Sequence, residues 1–419
     1  MAKKIIITIL IILILGSAGV IGYIILSQNG GINLSWLWPF GQNSNSAQVP
    51  KVPANFFPVS TTTRPNLVIT NSNGSNLAPN LATNSQGNQP AIDSPALAGT
   101  SALGLTVDTS NKSERVLFID RSSGNFYEIT PQNDLSRLTN ETLNDIRELH
   151  WGRDKTGRRV IMRFAQSGQL ITLSSLFKNT ASTSFETLTS KIISTTLSAI
   201  AVSPDGTRLF ILEPTTTGAT GYLSDWDGKN KKKIVSLPYA DWQIAWPSPN
   251  IISLVTTPSA LDLGYLYFLN PNTGSLTKTL KGINGLTANV SPDGQKMIFS
   301  RNLLGQFGLY SYDLTTKKTG TLGLNTLPEK CLWADNVSLY CAIPRSIPSG
   351  RYPDDWYQGK IAFADDIWKI DLKQQKTVLA ISPKDPYDLV NLVVAPKRGW
   401  LYAINKPDNS IQSFRLPSE

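Results

Sequence analysis

A short turn followed by an apolar strand recurs along this sequence, and its period constrains the fold more than any other feature. The tetrapeptide Ser-Pro-Asp-Gly stands at Ser203–Gly206 and again at Ser291–Gly294, each time between two runs of apolar residues. In such a turn proline fixes φ at the first corner, aspartate bonds to its own backbone, and glycine accepts a positive φ. Each copy therefore predicts a hairpin between two strands of a repeated unit.

The unit contains four predicted strands. Around the first turn they are Leu197–Val202, Arg208–Leu212, Gly221–Trp226 and Lys233–Leu237. First strands begin near Leu197, Trp242, Leu286 and Lys330, a spacing of about 44 residues. A four-strand unit of about 40–45 residues is typical of a β-propeller blade. Weaker copies on both sides bring the number of units to seven, the first and last incomplete, with six blades as the alternative. The predicted fold class is therefore all-β, a propeller over residues 102–419.

These repeats resemble those of TolB-type and WD-like propellers. The resemblance is carried by the Ser-Pro-Asp-Gly turns and by third strands of the form Gly-x-Tyr-x-x-Asp, such as Gly308–Asp313. It covers roughly Leu103–Leu416. It implies the fold and leaves the function open, because such propellers serve as scaffolds, binding modules and substrate gates.

The N-terminal region predicts a membrane anchor. Residues 1–4 contain Lys3 and Lys4, and Ile5–Leu26 then carries no charge, which is long enough to cross a bilayer as a helix. The positive-inside rule keeps the lysines in the cytoplasm and places the propeller outside it. A cleaved signal peptide is the alternative, since Gly16–Ala18 offers small residues for cleavage. Residues 27–101 are rich in Asn, Ser, Thr and Pro, which predicts a flexible linker.

The chemistry of the chain predicts a protein that is not an enzyme. His150 is the only histidine, so a Ser-His-Asp triad or a typical zinc site would depend on it. No Gly-rich phosphate loop or calcium loop is present, and neither a metal nor a cofactor is expected. Glycoside hydrolysis needs only two carboxylates, which leaves an envelope enzyme acting on glycan or peptide as an alternative.

Charge gives a weak indication of partners. The formal net charge is +9, and the densest basic run is Lys229 with Lys231, Lys232 and Lys233. This run has no interleaved aromatic residues, so it predicts a solvated loop and no nucleic-acid partner.

Two cysteines flank one predicted hairpin. Cys331 and Cys341 lie at equal distances from Asn336, which places them opposite each other on neighbouring strands. A disulfide is expected in an oxidising compartment, and a reduced pair is the alternative.

The longest loop of the repeat region is the candidate recognition site. It runs from Pro344 to Asp365, between the second and third strands of the sixth unit, and it is rich in aromatic and charged residues. The candidate binding residues are Arg351, Tyr352, Asp354, Asp355, Trp356 and Tyr357. Aromatic residues with Arg and Asp are the composition of a binding hot spot, and a buried plug over the propeller mouth is the alternative.

The sequence therefore predicts a propeller tethered to the bacterial cytoplasmic membrane that binds or scaffolds a protein or an envelope polymer. A ligand sensor that acts through a membrane partner is a further alternative.

Overall fold

The computed structural model describes residues 101–109, 114–154, 157–179, 185–303 and 306–417. These residues form seven antiparallel sheets, each built from strands that are consecutive in the chain. The seven-bladed propeller predicted from the repeats is confirmed. The sheets are named blades 1 to 7 in chain order.

The first four blades have four strands each. Their strands are β1 (Ala102–Asp108), β2 (Arg115–Asp120), β3 (Phe126–Ile129), β4 (Leu135–Arg137), β5 (Ile146–Asp154), β6 (Gly157–Gln166), β7 (Gln169–Asn179), β8 (Glu186–Ser194), β9 (Ala199–Val202), β10 (Leu209–Thr215), β11 (Gly218–Ser224), β12 (Lys232–Leu237), β13 (Trp242–Ser248), β14 (Ile251–Thr256), β15 (Leu263–Leu269) and β16 (Leu276–Asn284).

Blades 5 and 6 also have four strands, and the described part of blade 7 has three. Their strands are β17 (Ala288–Val290), β18 (Lys296–Leu303), β19 (Gln306–Asp313), β20 (Thr319–Leu324), β21 (Cys331–Trp333), β22 (Ser338–Pro344), β23 (Asp365–Asp371), β24 (Lys376–Ile381), β25 (Leu389–Ala395), β26 (Trp400–Asn405) and β27 (Ile411–Arg415). A 3-10 turn, Pro328–Lys330, precedes β21, and one helical turn, α1 (Asp354–Tyr357), lies between β22 and β23.

The two Ser-Pro-Asp-Gly turns have the same structure. In each, the serine hydroxyl donates to the aspartate two residues later, and its oxygen accepts the backbone N–H five residues later at 2.9 Å. Gly206 and Gly294 have φ of 69° and 71°, a conformation that glycine adopts without a Cβ penalty. The turns join the first and second strands of blades 3 and 5, so they lie on the same face of the ring, as predicted.

The hydrophobic core is a series of layers between neighbouring blades. Between blades 3 and 4, for example, Phe210 and Leu212 are buried against Trp242 and Leu254. The ring closes in the same way, because Phe118 of blade 1 is buried in one cluster with Tyr402 of blade 7. Hydrogen bonds add to this closure, from Ala102 N to Asn409 O at 2.8 Å and from Arg398 Nη1 to Ile129 O at 2.8 Å. In the described residues, blades 1 and 7 therefore meet face to face and share no strand.

Blade 1 is complete, and most of the chain before it lies outside the described residues. The first unit was expected to be incomplete, but blade 1 has four strands, because β1 precedes and β4 follows the two strands that were predicted. The predicted membrane helix Ile5–Leu26 and, except for Ser101, the predicted linker 27–101 lie outside the described residues. Within the residues that are described, no helix combines the length and apolar character needed to cross a bilayer.

Candidate functional site

One face of the ring carries the longest loop of the described propeller. Connections between blades and loops between second and third strands lie on this face, because the first strand of every blade starts there. Residues 345–364, between β22 and β23, are called the insertion, and this face is called the insertion face. The predicted limits of the loop, Pro344 and Asp365, are the last residue of β22 and the first of β23.

The insertion is held in a defined shape by its own polar groups. At its base, Arg345 N donates to Ala364 O at 2.8 Å, and the Arg345 side chain donates to Asp366 Oδ1 at 2.8 Å. At the start of α1, Asp355 Oδ2 accepts the backbone N–H of Arg351 at 2.8 Å. This hydrogen bond lowers the pKa of the Asp355 carboxyl. The loop is therefore closed at its base and has a short internal helix.

The insertion reaches across the ring to blades 4 and 5. Asp354 Oδ2 accepts the backbone N–H of Ala260 in blade 4 at 2.7 Å, and Asn302 of blade 5 donates to Tyr352 O at 3.2 Å. The Tyr357 hydroxyl donates to Glu329 and accepts from Gln243 Nε2 at 3.1 Å. Gln243 lies on the innermost strand of blade 4, so the tip of the insertion reaches the central opening.

The underside of the insertion is aromatic and buried. Tyr352, Trp356 and Phe363 pack in one cluster with Phe307 and Leu327 of blade 5 and its connection to blade 6. The rings of Tyr352 and Phe307 are 4.5 Å apart between centroids, and Trp356 is only 3% exposed. Aromatic side chains typically bury about 150–250 Å² each and dominate the energetics of the clusters in which they pack. The insertion is therefore packed as a plug.

A fully buried lysine lies beneath this plug. Lys330 Nζ donates to Asp365 Oδ2 at 2.7 Å and to Asp388 Oδ1, and all three side chains are inaccessible to solvent. The same carboxylate oxygen of Asp365 also accepts the backbone N–H of Leu389 at 2.6 Å. A charge is retained in such a site only when opposite charges and hydrogen bonds surround it. This buried charge cluster joins the start of blade 6, the end of the insertion and the start of blade 7.

Trp356 connects the plug to the charge cluster. Its indole Nε1 donates to Asp388 Oδ2 at 2.8 Å, and Lys330 Nζ lies 5.3 Å from its ring centroid. On its other side, Lys406 of blade 7 donates to Trp356 O at 2.7 Å and lies 4.8 Å from the ring. Burial lowers the pKa of Lys406. Trp356 is thus fixed by packing, by a hydrogen bond to a carboxylate and by two cations.

Burial perturbs two carboxyls in this region. It raises the pKa of Asp365 to about 6, although the neighbouring Lys330 opposes the shift, and Asp365 Oδ1 has no hydrogen-bond partner among the described residues. Burial also raises the pKa of Glu329, which accepts hydrogen bonds from Tyr357 and, at 2.9 Å, from Thr287. Carboxyls with raised pKa values are common at functional sites, and they also occur in structural networks.

The Asp365 pKa predicts an unusual dependence of stability on pH. The pKa of Asp365 is higher in the folded protein than in the unfolded chain. The stabilisation that Asp365 contributes is therefore present below about pH 4 and is lost as the pH rises through about 6. The quantity to compare is the free energy of unfolding of the wild type and of the Asp365→Asn variant. The wild type's advantage over the variant should fall by roughly 2–3 kcal/mol between pH 4 and pH 8. Both free energies are measured by denaturant titration of the full chain, followed by tryptophan fluorescence. Asp366→Asn is the matched control, and a difference that rises with pH would contradict the assignment.

The predicted binding residues fall into two groups. Tyr352 and Trp356 are buried, which for these two residues favours the alternative of a plug over the propeller mouth. Tyr357, at 36% exposed, and Arg351 are accessible, and Asp354 and Asp355 are half-buried. A role for these accessible residues in binding stays a prediction. Sequence reasoning missed Lys330, Asp365 and Asp388, because nothing local distinguishes a buried charged residue from an exposed one.

Other predicted residues lie away from the plug or have structural surroundings. Cys331 and Cys341 are direct cross-strand partners in β21 and β22 and form a disulfide. His150 lies on β5, with Nε2 2.6 Å from Glu148 Oε1. The other oxygen of Glu148 accepts from the buried Arg163 at 2.7 Å. His150 is thus part of a charged network in the wall of blade 2.

The solved structures that resemble this chain do so at low sequence identity. No protein-family model and no curated protein matches the sequence. An oligogalacturonate lyase from Vibrio parahaemolyticus is 11% identical with a TM-score of 0.48, covering 77% of this chain and 99% of the lyase. A luciferin-regenerating enzyme is 13% identical with a TM-score of 0.38, covering 76% and 94%. TolB from Acinetobacter baumannii is 14% identical with a TM-score of 0.35, covering 75% and 79%.

The prediction that the protein is not an enzyme is withdrawn, since the solved structures of similar fold include a lyase and a luciferin-regenerating enzyme. The low identity indicates no particular reaction for this chain. What the structure establishes is a seven-bladed β-propeller.

Proposed function

We propose that this chain is a membrane-tethered binding module of the bacterial envelope whose insertion face recognises a protein partner. The observation that carries the proposal is a cluster of exposed apolar side chains around the insertion. Among the described residues, five large apolar side chains on this face are exposed: Tyr239, Leu261, Leu263, Leu303 and Tyr357. Such side chains, grouped on one surface of a folded domain, are typical of protein interfaces.

The contacts of the insertion bring these side chains together. The Asp354–Ala260 hydrogen bond places α1 next to the loop of Leu261 and Leu263, and the Asn302–Tyr352 bond places the insertion next to Leu303. Gln243, which donates to Tyr357, follows Trp242, whose indole donates to Tyr239 O at 2.8 Å. The buried plug therefore supports an exposed apolar rim, which we call the insertion rim.

Charging the insertion rim should abolish binding of the partner. The double variant Leu261→Glu/Leu263→Glu should reduce capture per folded molecule by about tenfold or more, a change of ~1.4 kcal/mol or more in binding free energy. Capture is measured from solubilised membranes with the tagged full chain, and recovered proteins are quantified by mass spectrometry. Leu379→Glu is the matched control, because Leu379 is 45% exposed on the outer strand β24. Equal capture by both variants would contradict the proposal.

The tether is the second part of the proposal. It is supported by the uncharged segment Ile5–Leu26 after two lysines. The full chain should remain in the membrane pellet after a high-salt wash, and its release into the supernatant would contradict a membrane anchor.

A further inference from the structure

The outer edge of the propeller is basic. The charged residues on the outermost described strands of blades 1 to 6 are Arg137, Lys191, Lys232, Lys233, Lys278, Lys281 and Lys376, with one acid, Glu186. Glu186 is neutralised by Arg158 at 2.9 Å. Lysines on edge strands hinder edge-to-edge pairing between sheets, which accounts for single lysines on several blades. This protective role does not account for the concentration of four lysines on two neighbouring blades.

Four of these lysines lie on β12 and β16, the outermost strands of the neighbouring blades 3 and 4. Lys232 pairs across the sheet with Leu223, and Lys278 pairs with Tyr267. Leu223 and Tyr267 pack in the same cluster between blades 3 and 4, so Lys232 and Lys278 flank one junction. The turn before β16 approaches β12 closely, because a Cβ on Gly274 would lie 2.9 Å from Ile234 O.

These lysines are not neutralised within the protein. Lys231 pairs with Glu213 and Lys229 with Asp227, so the acidic side chains nearby are already engaged. Within the part of the chain that the structure describes, Lys232, Lys233, Lys278 and Lys281 make no ion pair. Four exposed positive charges therefore remain at the edge of two adjacent blades.

Apolar groups accompany the charges. Leu276, on the same strand as Lys278, is 37% exposed. The Lys278 ammonium lies 5.1 Å from the ring centroid of Tyr265 and 5.3 Å from that of Tyr267. Lysine stems and exposed leucine beside aromatic rings are the composition of surfaces that lie at the boundary of a bilayer. Lysine provides point charges without bidentate geometry, which suits a plane of many headgroups better than one phosphate.

We propose that Lys232, Lys233, Lys278, Lys281 and Leu276, here called the rim patch, rest on the surface of an anionic lipid bilayer. Lysines near a membrane surface are attracted to anionic lipid, and the attraction weakens with salt. The rim patch lies on the outer edge of the ring, so contact there leaves the insertion face accessible. The proposal therefore goes beyond partner recognition and does not depend on it.

Chemical labelling of lysines tests the proposal. The full chain is acetylated with an amine-reactive reagent in vesicles of phosphatidylcholine alone or with about 30% phosphatidylglycerol, and each lysine is quantified by mass spectrometry. In the anionic vesicles, labelling of the four rim-patch lysines should fall by about threefold or more and should recover at about 0.5 M salt. Labelling of Lys360 on the insertion and Lys376 on blade 6 should not change. Lys231, which precedes Lys232 in the chain, should also be protected in the anionic vesicles. In the variant K232Q/K233Q/K278Q/K281Q, this protection of Lys231 should disappear.

Three results would overturn the proposal. The first is equal labelling of the rim patch in both kinds of vesicle, and the second is an equal fall at Lys360, which would indicate general adsorption. The third is protection of the rim patch by soluble polyphosphate in neutral vesicles without protection by anionic vesicles. That outcome would assign the patch to an anionic polymer. Because the comparison varies only lipid charge, its failure is distinguishable from failure of capture at the insertion rim.

Discussion

Replacing Lys330 with methionine should destabilise the propeller by about 3–5 kcal/mol, because Asp365 and Asp388 would then be buried without a cation. Methionine nearly matches the volume of lysine, so the loss would reflect charge rather than a cavity. The free energy of unfolding is measured by denaturant titration of the full chain at neutral pH. Lys360→Met removes an exposed lysine from the same insertion and should change stability by about 0.5 kcal/mol or less.

A combined variant separates charge from shape in this experiment. Lys330→Met/Asp365→Asn/Asp388→Asn removes all three charges and should recover a large part of the stability lost by Lys330→Met alone, since no unpaired charge remains. Destabilisation of less than about 1 kcal/mol by Lys330→Met would show that the carboxyls are neutral or hydrated there.

Replacing Trp356 with alanine should cost about 3–5 kcal/mol of stability through the cavity it leaves in the plug. Trp356→Phe keeps most of the ring packing but leaves Asp388 without the indole hydrogen bond, so its loss should be about 1–3 kcal/mol. Thermal and denaturant unfolding of the full chain measure both. Tyr357→Ala is the control from the same helical turn, and its effect should be smaller because the side chain is partly exposed.

Capture of the partner distinguishes packing from recognition at this tryptophan. If Trp356 supports the insertion from below, it makes no contact with the partner itself. Folded molecules of the Trp356→Ala variant should then lose capture of the partner only through displacement of the insertion rim. An unchanged stability together with lost capture would instead make Trp356 a recognition residue, in conflict with its burial.

The blades could be predicted from sequence because their determinants are local. The Ser-Pro-Asp-Gly turns specify a hairpin through their own side chains, and apolar strands repeat around them at nearly constant spacing. The strands that were missed in blade 1 lack such signals. β1 contains Gly104 at a φ of 64° and an irregular register between Leu103 and Thr106, and β4 has only three residues.

The arrangement of the candidate site could not be predicted because it depends on contacts that are distant in sequence. The limits of the insertion were correct, since apolar strands flank it, but an aromatic loop residue can face either solvent or core. Trp356 is buried because Phe307 of blade 5 and Asp388 and Lys406 of blade 7 surround it, and all three are distant from it in sequence. Lys330 is likewise paired with residues 35 and 58 positions away.

Site-specific crosslinking tests most directly whether the insertion face binds a protein. A photoreactive amino acid is placed in the full chain in cells at position 357, 261 or 379, and crosslinked products are identified by mass spectrometry. If the insertion face binds a protein, the same protein should be crosslinked from positions 357 and 261 and not from position 379 on the outer strand of blade 6. Crosslinking from position 379 with none from positions 357 and 261 would contradict binding at the insertion face.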